Sequence, residues 1–83
     1  MNFETIRKEI DKWDPIDLLS HTPSDEYDIE SREIFLKFQN DTEQNGMTIY
    51  EVFVKSFGAT FTKSVNECIG IAKRIMESNS KNC

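Results

Sequence analysis

SVNECIGIAKRIM, residues 64–76, is the stretch that decides the fold class. Val65, Cys68, Ile69, Ala72, Ile75 and Met76 recur at three- and four-residue steps, the period that lines one face of an α-helix with apolar side chains. Ser64, followed three residues later by Glu67, forms a capping box, in which the two side chains take up backbone N–H groups that the first turn leaves unbonded. The spacing predicts a helix over about residues 65–78. The polar run beyond it marks 79–83 as a flexible tail.

Upstream, Thr48 with Glu51 repeats the capping signature, and Met47 with Val52 has the spacing of a hydrophobic staple. Ile49, Tyr50, Val52, Phe53, Val54 and Phe57 then make a helix that is apolar on most sides, up to Gly58, a residue suited to a helix stop. This reading leaves 40–46 (NDTEQNG) as a polar connection. A helix is also expected over 29–40, with Asp28 as its N-cap. Its apolar residues fall into two lines: Ile34, Phe35 and Phe38 on one side, Ile29 and Leu36 almost opposite. Such a helix is either central or half of an interface.

Phe3, Ile6, Ile10 and Trp13 stripe a first helix. Asp14-Pro15 reads as an N-cap followed by proline at the first helical position, which predicts a short helix over 15–20, ended by His21-Thr22-Pro23. No segment alternates with the period of two that marks a strand. The fold class is therefore all-α: one domain over 1–83, a bundle of four to five helices.

A chain of 83 residues buries only about 60–65% of its unfolded surface, so a partner or self-association is an expected source of added stability. Cys68 lies in the apolar stripe and Cys83 on the tail, which disfavours a bridge between them. Reduced thiols, no secretory signal and no membrane-spanning run together lead us to expect a cytoplasmic protein. Charge is uneven: residues 1–46 hold twelve acids and five bases, net −7, and 47–83 hold three acids and five bases, net +2. Such a field repels nucleic acid phosphates and favours a basic protein partner; without a membrane-spanning run, no membrane partner is expected.

Catalytic chemistry has little to work with. His21 is the single imidazole, and Ser20, His21 and Asp25 are too close in sequence to be aligned as a nucleophile, base and orienting acid. Counting a calcium loop from Asp25 puts Tyr27 at position 3, Ile29 at position 5 and Glu30 where glycine is required, so the pattern fails. One histidine and two distant thiols do not make a zinc site. The expectation is no enzyme, no catalytic residue, no metal and no cofactor.

The segment WDPIDLLSHTPSDEYD, residues 13–28, is the most distinctive in the chain. Trp13, Asp14, Pro15, Ile16, Pro23, Asp25, Glu26, Tyr27, Asp28, Glu30 and Ile34, with FGATF and ECIGIAKRI further on, resemble the YugE-like family of short Firmicutes proteins, a domain of unknown function. The resemblance covers nearly the whole chain and implies a compact helical domain with no established activity. Ile29 departs from it, since proline is common there in the family. The Trp-Asp-Pro and Asp-Glu-Tyr segments of this chain also resemble those of small acidic immunity proteins that neutralise bacterial toxins.

Trp13, Asp14, Pro15 and Asp28 are read as the structural part of this motif: anchor, caps and turn. Asp17, Asp25, Glu26, Tyr27 and Glu30 are read as the partner-binding part, an acidic surface with one amphipathic aromatic. The function expected is a non-enzymatic acidic helical protein that binds a basic protein, toxin neutralisation being one form of it. The alternatives are a homodimer or larger homo-oligomer pairing through Ile29 and Leu36 or the broad face of the next helix, and a small-ligand-binding domain near His21, Asp25 and Tyr27.

Overall fold

A computed structural model describes residues 2–16 and 27–81, with side chains through Ser78. Four α-helices follow in order: α1 Phe3–Trp13, α2 Asp28–Lys37, α3 Thr42–Phe57 and α4 Val65–Lys81, with a 3-10 turn, Gly58–Thr60, after α3. Among the described residues there is no strand, as the all-α reading requires. The expected short helix over 15–20 lies mostly outside them. Its described start, Pro15 and Ile16, is a turn.

α1 begins at Asn2, whose side chain accepts the Glu4 N–H at 2.8 Å, a cap the apolar pattern did not reveal. Ile6 and Ile10 are fully buried, and Phe3 and Trp13 half so, as the stripe predicts. The helix ends at Asp14, held in the left-handed region (φ 46°) with its N–H on the Ile10 carbonyl. Asp14 thus closes α1, a role different from the expected one of opening the next helix.

α3 corrects the sequence reading most. It starts six residues before Thr48, at Thr42, with Asp41 as its cap (Gln44 N–H to Asp41 Oδ1, 3.2 Å). The Thr48 hydroxyl donates to the Gln44 carbonyl at 3.0 Å, one helical turn back, so no capping box forms with Glu51, and Met47 stays 47% exposed. Two residues that usually weaken helices have tertiary tasks here. Asn45 is fully buried, accepts the Gln39 N–H and donates to the Gln39 carbonyl, both at 2.7 Å, and so ties the α2–α3 connection to α3. Gly46 faces α4 so closely that a Cβ would meet Ile69 Cγ1 and lie 2.6 Å from Ile69 Cα. Only glycine permits that approach.

α4 buries Cys68, Ala72 and Ile75 of its stripe at 0% exposure, leaves Val65, Ile69 and Met76 half-buried, and adds Ile71, outside the stripe, at 4%. Ser64 Oγ accepts the Glu67 N–H at 3.2 Å, half of the expected capping box. The other half is diverted: the Glu67 carboxylate takes the indole N–H of Trp13 at 2.8 Å, linking the start of α4 to the end of α1. Gly58, at φ 56°, ends α3 as expected. Between the helices lies an aromatic cluster centred on Phe53, which meets Trp13 and Tyr27 edge-on at 5.8 Å and stacks on Phe57 and Phe61 at 5.7 and 5.4 Å.

Candidate protein-binding surface

The aromatic cluster fixes where the acidic motif can point. Tyr27 is at 0% exposure with its ring edge-on to Phe53 and Phe57. Its hydroxyl donates to Asp14 Oδ1 at 2.6 Å and accepts the Ile16 N–H at 3.2 Å, so a buried phenol holds the turn after α1. Tyr27 is therefore a core residue in place of the expected exposed contact. A phenol flanked by acids in sequence gives no sign of this, because its partner Asp14 is thirteen residues away.

Glu30 is corrected likewise: only 7% exposed, it faces inward on α2 beside Ser31 and Ile34. Asp28 is not the N-cap of α2 but its first residue, and Tyr27 precedes it without a side-chain cap. The Asp28 carboxylate instead takes Arg7 Nε at 3.1 Å, and Arg7 also reaches Glu4 at 3.2 Å. The hydrogen bond that Arg7 donates to Asp28 and the charge of Glu4 raise the Arg7 pKa above its usual value. Pro15 is buried in the turn. Asp17, Asp25 and Glu26, and with them His21, lie outside the described residues.

Among the described residues the most exposed large apolar side chains are those of the second apolar line of α2. Ile29 and Leu36 are 76% and 75% exposed, two helical turns apart on one face. Between them stands Arg32, its guanidinium 5.6 Å from the centroid of the Phe3 ring, and Phe3 meets Phe35 edge-on at 5.9 Å. Phe3, Arg32, Phe35 and Leu36 line an open concavity of about 270 Å³. Arg7 and Arg74 pair with carboxylates, whereas Arg32 has only the aromatic face among the described residues. This arrangement offers apolar contact area, a cation–π pair and a guanidinium fork, which are the elements of a protein contact.

A second hollow lies along α1 between Glu4, Lys8, Glu9, Asp11, Lys12 and Ser78. Its charges are mixed: Glu9, nearly buried, pairs with Lys12 at 3.6 Å and Arg74 at 3.5 Å. Asp11 has its pKa raised chiefly by burial, and one of its oxygens is buried without a hydrogen-bond partner among the described residues. Among the described residues no three His, Cys, Asp or Glu side chains converge as a metal would require. No helix there is long and apolar enough to cross a membrane.

The chain was compared with protein-family models, curated proteins and solved structures, and none matches.

Proposed function

We propose that this chain is a non-enzymatic interaction protein, whose task is to bind another protein. One observation carries the reading: a small folded domain keeps Ile29 and Leu36 three-quarters in water, two turns apart on one helix face. Burying each would contribute about 1.5–3 kcal/mol, so an exposed pair of this kind is characteristic of a contact surface. The net −7 of residues 1–46 sets the sign of the protein bound, a basic one. Asp17, Asp25 and Glu26 are the acids assigned to it, and toxin neutralisation of the immunity type is the biological form that the resemblance to YugE-like and immunity proteins suggests. We place the protein in the cytoplasm.

Affinity capture with the native chain, the charge-reversed variant Asp25→Lys/Glu26→Lys and the apolar-face variant Leu36→Glu, each at low and high salt, tests this. The reading expects a basic protein held by the native chain at low salt and released by high salt or by charge reversal. Retention that is indifferent to salt and to all three substitutions would overturn it.

A further inference from the structure

We infer that the outward face of α2 is a self-association surface, and that the partner covering Ile29 and Leu36 is a second copy of this chain. The inference rests on the interaction reading above and names the occupant of its apolar face.

The chain carries net −5, so two copies repel wherever acidic surfaces meet. The α2 face carries no such excess, because the charges around Ile29 and Leu36 balance: Asp28 and Glu33 against Arg32 and Lys37. The two acids are also engaged locally, Asp28 with Arg7 at 3.1 Å and Glu33 with Lys37 at 3.6 Å and Lys55 at 3.4 Å. A strongly basic protein gains little on such a face. A second copy of the same face meets no excess of like charge.

Shape agrees with the charge argument. Contact across a two-fold axis is isologous, the same patch meeting itself. Ile29 and Leu36 lie on one line along the helix, so that line meets its symmetry copy whichever way the two helices run, Ile29 on Leu36 when antiparallel and each residue on its own mate when parallel. Phe3, Phe35 and the stem of Arg32 widen the strip. Two turns of helix with these neighbours offer roughly half of the ~800 Å² per partner of a standard interface, so the dimer is weak, with a Kd of roughly tens to hundreds of micromolar.

Salt separates this inference from the binding of a basic protein. Screening removes the −5 on −5 repulsion while leaving the apolar contact intact, so self-association strengthens with salt, whereas attraction to a basic protein weakens. The test is sedimentation equilibrium of the native chain from about 5 μM to about 1 mM at low and high salt, a range spanning the expected Kd. Leu36→Glu and Ile29→Asp are run beside it, with Val54→Glu, on an exposed position of α3, as the control.

The expected result is a concentration-dependent dimer that tightens with salt, persists in Val54→Glu and weakens by about 100-fold in both α2 variants, since each buries two unpaired charges per dimer. Circular dichroism verifies that the variants are folded, and Ile29→Asp, an acid in the first turn of α2, favours the helix. A native chain that stays monomeric throughout, a dimer that survives both α2 substitutions, or one that dissolves with salt would each overturn the inference. A monomer that still captures a basic protein would leave the interaction reading standing and remove only this occupant.

Discussion

The α3–α4 pair and the outward face of α2 are built from the same kinds of side chain and put them to opposite use. Between α3 and α4, Gly46 lets the backbones approach until Ile69 fills the space a methyl group would need, and Ile49, Phe53, Cys68 and Ala72 are sealed from water. On α2, Ile34 is buried just as completely and Phe35 and Phe38 in part, yet one half-turn away Ile29 and Leu36 stand in solvent. Apolar periodicity therefore identifies a helix without saying how many of its apolar lines the domain covers. That depends on how closely the neighbours approach, and close approach depends on small residues such as Gly46, which carry no periodic signal.

The sharpest way to break this contrast is Gly46→Ala. The new methyl would collide with the Ile69 backbone, and forcing α3 and α4 apart is expected to cost about 3 kcal/mol, read as a fall in the urea midpoint. If the midpoint is unchanged, the close crossing is not what holds the pair. Next in size is Asn45→Ala, which strips the Gln39 N–H and carbonyl of their partners at once and should cost about 2 kcal/mol by the same measurement. An Asn45 effect no larger than that of an exposed substitution would show that the α2–α3 connection needs no such tie.

These two residues also mark the limit of what could be read in the sequence. The stripe of α4, the stripe of α1 and the Gly58 stop are legible because they are local and periodic. The start of α3 is not: Asn45 and Gly46 look like turn residues, and Thr48 with Glu51 looks like a cap, until the partners Gln39 and Ile69 are known. The motif of residues 13–28 misleads in the same way. Asp14 and Tyr27 are a buried hydroxyl–carboxylate pair instead of a helix-opening cap and a surface aromatic, and only their meeting across thirteen residues reveals it. The two apolar lines of α2, by contrast, are visible in the sequence as a helix either central or half of an interface.

Tyr27→Phe tests the motif as a folding device. Removing the hydroxyl leaves the Asp14 carboxylate and the Ile16 N–H each without one partner, an expected loss of about 1–1.5 kcal/mol in thermal or urea unfolding. Stability equal to native would return Tyr27 to the category of replaceable packing.

At neutral pH the next effect is silent, and it separates buried from bare only in alkali. Burial pushes the Cys68 thiol up to about 12 from an ordinary value near 9.0. As pH rises, the unfolded chain loses this proton first, so the contribution of Cys68 to stability is complete below 9.0 and is lost as pH climbs towards about 12. Unfolding of the native chain and of Cys68→Ala across that range should show the steeper decline in the native chain. Parallel curves would mean the thiol is reached by solvent in the folded state.

The smallest effect on stability bears most directly on the claim that the outward face of α2 serves binding and not the fold. The measurement is the urea midpoint of Leu36→Glu beside the native chain at low micromolar concentration, where a weak dimer is dissociated. Leu36 is 75% exposed, so the unfolding free energies derived from the two midpoints are expected to agree to within about 0.5 kcal/mol. A loss of about 2 kcal/mol or more, the scale of a disrupted core position, would contradict the account and make this face part of the folded interior.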